Sequence, residues 1–368
     1  MKSAVGEIPR WVDYGLVPMV NLMMALLLSG LVVVAIGADP IAALKSLVFG
    51  AVGYSEAIGY TLYYATNFVF TGLAVAVAFH AGLFNIGGEG QAYIGGLGVA
   101  LVCLALDGLP FAIVVPLAIV AAALFGAAWA AVPGYLQAKR GSHIVITTIM
   151  FNFIASALMT YLLVDVLIEP GQQAPRSRDL AEHVWLPRMD DLFAALGFDI
   201  GNSPLNMSIL LALTTCILVW LFIWHTRWGY EIRTVGHSDR AAGYAGISRS
   251  RAIVLAMAVS GALAGLVGVN DILGVHHYLL LGFTGGVGFV GIAVALMGRN
   301  HPVGIVMAAL LFGALYQGGS DLAFDIPEIT REMVIVIQGL VILFCGALEN
   351  MFKPRIAALF RPRLAGAA

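Results

Sequence analysis

The chain has 368 residues, of which 60% are apolar and only 11% charged, against about 25% charged in a soluble domain. Nineteen Lys+Arg against 21 Asp+Glu give a formal charge of −2. That excludes a nucleic-acid binder, and the composition excludes a disordered chain, a disulfide-rich secreted module and a soluble enzyme. An all-α polytopic membrane protein is left, with one transmembrane domain over residues 1–368 as the simplest organisation.

A bilayer core of ~30 Å takes roughly 20 apolar residues per helix. Ten runs qualify: 14–37, 57–80, 86–106, 110–136, 144–167, 206–225, 252–273, 284–298, 303–320 and 332–352. The first is too long, and lacks the small-residue cleavage site, for a removed signal peptide. Segment 38–55 is less apolar and is expected along the outer interface. With both termini in the cytoplasm, 14 of the 19 Lys and Arg fall on the inner side, as the positive-inside rule asks. Residues 168–205 are then the largest outer loop, expected to carry short helices, and 226–251 the largest inner loop.

Five runs precede the long outer loop and five follow it, so halves of roughly 1–167 and 206–352 have opposite topology. Each half has a Gly-rich interruption, at 82–98 and at 282–291. Paired breaks of this kind point to an inverted repeat around a central pathway.

Several chemistries are missing. No Lys follows a Gly, so there is no G-x-x-x-x-G-K-[ST] phosphate loop. His276 and His277 are adjacent, without an acidic or Cys partner, and read as an outer-loop pair, so no metal site is expected. Cys103, Cys216 and Cys345 are scattered and read as core fillers. The spans hold few ionisable groups. Glu89 is the clearest, while Asp165 and Asp271 are expected near outer ends, within reach of water. An ion-driven cycle therefore has little to work with.

Two stretches carry the functional reading. Residues 84–91, F-N-I-G-G-E-G-Q, cannot form a stable apolar helix. They are either a discontinuous helix lining the pathway or a tight inter-helix turn with Asn85 and Gln91 as caps. Residues 233–247, R-T-V-G-H-S-D-R-A-A-G-Y-A-G-I, are polar and rich in small residues that suit close docking. Asp239 is expected to cap a short helix, Arg240 to Tyr244, which Gly246 ends. Gly261 and Gly265 form a small-xxx-small pair for close helix contact, expected within the chain.

These stretches resemble the permease subunits of type II ABC importers of the branched-chain amino acid, ribose and nucleoside superfamily. Within it they are most similar to the simple-sugar and nucleoside permeases that work with basic-membrane-protein-type lipoproteins. The resemblance is carried by T-G-L-A-V-A-V-A-F-H-A-G-L-F-N-I-G-G-E-G-Q (71–91), W-A-A-V-P-G-Y-L-Q-A-K-R-G (129–141), I-T-T-I-M-F-N-F-I-A (146–155), the 233–247 loop, S-G-A-L-A-G-L-V-G (260–268) and G-I-A-V-A-L-M-G-R-N-H-P-V-G (291–304). It departs at Asn67, where the family often has Pro, and near His143, where it often has an acidic residue.

The resemblance implies an ATP-driven importer in the bacterial inner membrane, both termini cytoplasmic, with no ATPase site or cofactor in this chain. ATP and Mg belong to a partner with two fused ATPase domains. A second, paralogous permease and a substrate-binding lipoprotein complete the system; membrane lipid surrounds it and nucleic acid has no part. Residues 239–247 are similar to the coupling helix, with Arg233, Gly236, Asp239, Arg240, Ala241, Ala242, Gly243, Gly246 and Ile247 as coupling residues. Asn67, Phe84, Asn85, Glu89, Gln91, His143 and Asn152 are the candidate substrate-pathway residues. The low charge favours a neutral polar solute, and the resemblance puts nucleosides or nucleobases first. Simple sugars, riboflavin-like compounds and branched-chain amino acids follow. An ion-coupled secondary transporter and a membrane-embedded enzyme are the competing classes.

Overall fold

A computed structural model describes residues 12, 16–169, 171–190, 193, 197 and 201–343. The basic residues at both termini used for the orientation, Cys345 and the end of the last run lie outside them. Among the described residues the regular structure is helical, with three isolated β-bridges and no strand. Seven helices are long and apolar enough to cross a membrane: Ser55–His80, Gly88–Ala105, Phe111–Arg140, Ile144–Val166, Ser208–His225, Arg249–His276 and Pro302–Asp325. They occupy seven of the ten expected runs. Runs 14–37, 284–298 and 332–352 hold shorter apolar helices, and 38–55 holds another, Pro40–Val52.

The helices are α1 (Val17–Ala35), α2 (Pro40–Val52), α3 (Ser55–His80), α4 (Gly88–Ala105), α5 (Phe111–Tyr135), α6 (Ile144–Tyr161), α7 (Ser208–His225), α8 (Arg227–His237), α9 (Asp239–Tyr244), α10 (Arg249–Gly265), α11 (Val287–Met297), α12 (Pro302–Asp325) and α13 (Arg331–Ile342). Single π-type turns extend α5 and α6, a third runs Val269–His276 after α10, and a short 3₁₀ turn, Glu182–Val184, lies in the long loop. The chain divides into two compact units, residues 1–51 with 315–368 and residues 52–314.

In the first unit, Val33, Ala43, Leu322, Ile329, Val334 and Ile337 form a small apolar core. Ser46 donates to Asp325 at 2.8 Å. Met19, Met23, Leu27, Leu31 and Val34 leave an open apolar stripe along α1, as expected of a helix facing lipid.

The second unit is built around α3, whose residues from Ala65 to Ala78 are all buried. Close packing there depends on absent side chains. A Cβ on Gly261 would run into the carbonyl of Gly126, and one on Gly265 into that of Ala122. A Cβ on Gly95 would meet the backbone of Gly265. Helices α4, α5 and α10 therefore touch backbone to backbone; the Gly261/Gly265 spacing permits this close contact, and it is made within the chain. By contrast α6 turns Ile146, Met150, Phe153, Ile154 and Tyr161 outward.

Candidate functional site

Residues 84–87 are a non-helical link between two helices and 88–91 are the first turn of the second; neither Asn85 nor Gln91 caps it, so the second reading left open above holds only for the link. Helix α3 ends at His80 and α4 begins at Gly88. Between them the chain alternates, with Ala81, Leu83, Asn85 and Gly87 buried, Gly82 and Phe84 open and Ile86 half-buried. Side-chain amides hold the turn together. Asn85 donates to Gln91 and to Ser260, both at 2.9 Å, and accepts from the Gln91 amide at 3.1 Å and from Gly87 N–H at 2.9 Å. The Ser260 hydroxyl in turn donates to the Ala74 carbonyl at 2.6 Å. Asn152 accepts from Gly90 N–H and donates to the Ile86 carbonyl. Buried polar atoms are costly unless paired, and here they pair with each other.

The second Gly-rich break meets the first. Helix α11 has 11 residues, which at 1.5 Å per residue is about 17 Å, half a bilayer core. Its N-terminus lies against the N-terminus of α4, and a Cβ on Gly288 would collide with the backbone of Gly88 and Glu89. Glu89 reaches across this seam. Its Oε1 accepts from the Thr284 hydroxyl at 2.5 Å and from Gly286 N–H at 2.9 Å, while Oε2 accepts from Gly288 N–H at 2.8 Å. One carboxylate thus sits in the first turn of α4 and caps α11, where both helix dipoles favour negative charge. Gly291 packs on Thr71 and Val294 on Gly72, which sets the seam level with the middle of α3.

A second polar group was not anticipated. Asp271 is 1% exposed, not near water as its position in the run suggested. The π-type turn Val269–His276 carries it inward, where Tyr63 donates to it at 2.6 Å and Asn67 at 2.9 Å. Asn270 donates to Asn67 at 2.9 Å and accepts from Asn206 at 2.9 Å and Ser208 at 2.6 Å. The knot ties α3, the end of the long loop and the π-type turn. Asp271 forms no ion pair among the described residues. An Asp271→Asn variant keeps an oxygen for both donors without a buried charge, and is expected to be at least as stable as the native chain. Asp271→Leu strands two buried donors and is expected to cost about 2–4 kcal/mol, read as a lower midpoint in thermal unfolding of the detergent-solubilised protein.

Asn67, Asn85, Gln91 and Asn152 therefore spend their amides inside the chain. Phe84 is 36% exposed, its ring 5.3 Å from that of Phe79, and Glu89 is partly open. His143 stands before the first turn of α6 and its carbonyl accepts from Thr147 N–H at 3.1 Å. Neither Asn67 nor His143 hydrogen-bonds to the Asn85–Glu89–Gln91–Asn152 group. The signal for the missed knot was the Asn-Asp pair inside V-G-V-N-D-I-L-G, since an ionisable residue within an apolar run marks a buried site.

The 226–251 loop is a helical hairpin. Thr226 caps α8, accepting from Gly229 N–H at 3.1 Å. Ser238, rather than Asp239, caps α9, accepting from Ala241 N–H at 3.3 Å. The expected cap is displaced by one residue because Asp239 is already helical and is drawn to Arg249, 3.0 Å away. Gly246, at φ +71°, stops the helix, and Ile247 N–H returns to the Ala242 carbonyl. Ala242 is fully buried against Ile232, Val235, Ile253 and Met257. Arg240, Ala241, Gly243 and Gly246 are open, and Tyr244 is 95% exposed. Gly236, on α8, lies so close to the His80 carbonyl and Ala81 that a Cβ there would collide with them. The hairpin thus rests on the root of the turn that leads to Glu89.

The long loop is strapped to the chain above the seam. Ser177 N–H donates to Leu279, Leu180 N–H to His277 and Leu186 N–H to Leu273. His277 stacks on Trp185, with ring centroids 3.8 Å apart. Gly282 N–H then donates to Tyr93 Oη at 2.6 Å, two residues before Thr284.

A family profile for the branched-chain amino acid transport system permease component matches residues 57–346. The chain belongs to this permease family. It is 36% identical to a guanosine ABC transporter permease of Bacillus subtilis, across 90% of this chain and 93% of that one. It is 32% identical to a glucose ABC transporter permease of Haloferax volcanii, across 97% and 93%. It is 33% identical to a nucleoside ABC transporter permease of Lactococcus lactis, across 89% and 90%. The protein is accordingly a multi-pass permease subunit of an ABC transporter, not an enzyme. Such a subunit partners an ATPase and a substrate-binding protein.

Proposed function

We propose that this permease imports a nucleoside or nucleobase into the cytoplasm by alternating access, driven by ATP on its partner. The observation that carries the reading is the continuous path from the bare face of α9, through Gly236 on His80 and Ala81, to the Glu89 seam. An ATPase that pushes α9 would move the link at 81–87, and with it α4 and α11. Arg233, Gly236, Asp239, Arg240, Ala241, Ala242, Gly243, Gly246 and Ile247 form that input, with Ala242 as the pin and the open residues as the contact face. Phe84 and Glu89 face the route. Asn67, Asn85, Gln91, Asn152 and His143 shape it from behind.

The same reading has ten spans in two inverted halves, both termini in the cytoplasm of a bacterium, and the 168–205 loop outside as the docking surface for the lipoprotein. The meeting of Gly88 and Gly288 supports it, since each break comes from one half. The partners are an ATPase with two fused nucleotide-binding domains and a second, paralogous permease. The glucose permease relative favours a sugar as the alternative solute. Purification of the complex, followed by binding of labelled nucleosides and sugars to the co-purified lipoprotein, tests this. An ATPase, a second permease and tight nucleoside binding are expected. A lipoprotein that binds glucose and no nucleoside overturns the solute, and a crosslinked preparation without an ATPase overturns the mechanism.

Ala242→Glu tests the input directly. It sets an unpaired carboxylate in the apolar contact between α9, α8 and α10, and is expected to cut ATP-driven uptake more than tenfold while the spans still fold. Uptake at native rate would show that α9 does not transmit the stroke.

A further inference from the structure

Glu89 is partly open, and the surface beside it is open in two rows. One row comes from the extended link, the open Phe84 and the half-buried Ile86. The other comes from Gly285 and Phe289, the latter 48% exposed, and continues down α11 through the half-open Ile292 and Leu296. Glu89 joins them through its bonds to Gly286 and Gly288. A partly exposed glutamate halfway along the span cannot face lipid. This face therefore meets water or protein in the assembled transporter, unlike the open apolar faces of α1 and α6.

An ionised carboxylate offers about four acceptor positions. Thr284 and Gly286 fill both on Oε1, and Gly288 fills one on Oε2. We infer that the remaining position on Oε2 receives an N–H or O–H of the solute in transit, and that Phe84 and Phe289 supply flat apolar surface for its ring. The three internal bonds hold the carboxylate in one orientation, so recognition costs little further ordering. Thr284 acts as a positioning residue through Oε1. A neutral solute with both an aromatic ring and a polarised donor, such as a purine nucleoside, satisfies both features. The inference rests on the proposed nucleoside import and names the group that reads the solute.

The test uses the whole complex in proteoliposomes with ATP and saturating, solute-loaded lipoprotein. Uptake of inosine is compared with 1-methylinosine and with the 2′-, 3′- and 5′-deoxy analogues, each of which lacks one donor. The native complex is expected to transport one of these at least tenfold more slowly than inosine. Glu89→Gln, which replaces the Oε2 acceptor by an amide donor, is expected to shrink that ratio below about twofold, whatever its absolute rate. An unchanged ratio in the variant overturns the inference.

Should Glu89→Gln transport nothing, Phe289→Cys decides. In a chain whose Cys345 is first replaced by Ser, and whose Cys103 and Cys216 are buried, a charged, membrane-impermeant maleimide is expected to label the new thiol in the complex. Labelling by a lipid-soluble reagent alone, or no labelling because a neighbouring permease covers the face, overturns it. If the native complex carries no nucleoside at all, the proposed function fails separately. Glucose and its deoxy derivatives then take the place of the nucleoside series, and the same collapse of the ratio in Glu89→Gln is required.

Discussion

Glu89→Ala is expected to abolish ATP-driven uptake, to below a tenth of the native rate, in an assembled complex. The variant strands the Thr284 hydroxyl and the N–H groups of Gly286 and Gly288 at the seam between α4 and α11. Unsatisfied buried donors cost about 1–3 kcal/mol each. Partial access to water softens this, so the local loss is about 2–4 kcal/mol. It falls on contacts that tie α4 to α11 rather than on the chain at large. Glu89→Asp is expected to act similarly, because a shorter side chain cannot span from α4 to both Gly286 and Gly288. Uptake by proteoliposomes, with quantification of assembled complex, measures both. Native uptake by Glu89→Ala would show that the seam does not take part in the cycle.

Gly261→Val is expected to prevent recovery of folded protein. The added Cβ would meet the Gly126 carbonyl and the Ala130 side chain, and the approach is reciprocal, since a Cβ on Gly126 would meet the Gly261 carbonyl. Overpacking a core by a few methylenes costs about 1–3 kcal/mol when side chains can adjust. Here two backbones would have to separate, and α5 and α10 lose the surface on which α4 also rests. Gly108 is the control, because a Cβ there meets nothing within 4 Å and Gly108→Ala should leave yield unchanged. The fraction of monodisperse protein in detergent is the readout. A native-like profile for Gly261→Val would mean that α5 and α10 do not approach this closely.

The parts of this architecture that were legible in the sequence are those that repeat or that break a pattern. Apolar length marked the long helices, and the paired glycine stretches marked both halves of the seam. Of the small residues after Arg240 that suggested docking, only Ala242 packs within the chain. What escaped was side-chain direction. The Asn-Asp pair at 270–271 sits near the end of an apolar run, where either solvent or interior is open to it. Only the π-type turn, a feature with no sequence signal of its own, aims it inward. The amides of Asn67, Asn85, Gln91 and Asn152 read equally well as solute ligands or as partners for one another. Distance between helices decides, and one chain's sequence does not contain that distance. The α9 cap is subtler, for Ser238 and Asp239 are both good caps, and the pull of Arg249 on Asp239 leaves the role to Ser238.

The half-length α11 illustrates the same limit. Run 284–298 has the hydropathy of a span, yet Gly285 and Gly286, at φ +53° and +87°, allow the chain to stay irregular until Val287. Such irregularity at membrane depth is tolerated only where protein or water satisfies the backbone. Glu89 is what satisfies it here. A carboxylate in one half of the sequence thus explains a helix boundary almost two hundred residues away.

The central claim is that this permease moves its solute with a partner's ATP. The measurement that tests it most directly is uptake of labelled nucleoside into proteoliposomes holding the purified complex and its lipoprotein, with and without ATP and with an ionophore present throughout. Accumulation that requires ATP and the lipoprotein, and survives the ionophore, is the predicted result. Accumulation by the chain without ATP, lost when the ionophore is added, would contradict the account and make the protein an ion-coupled transporter.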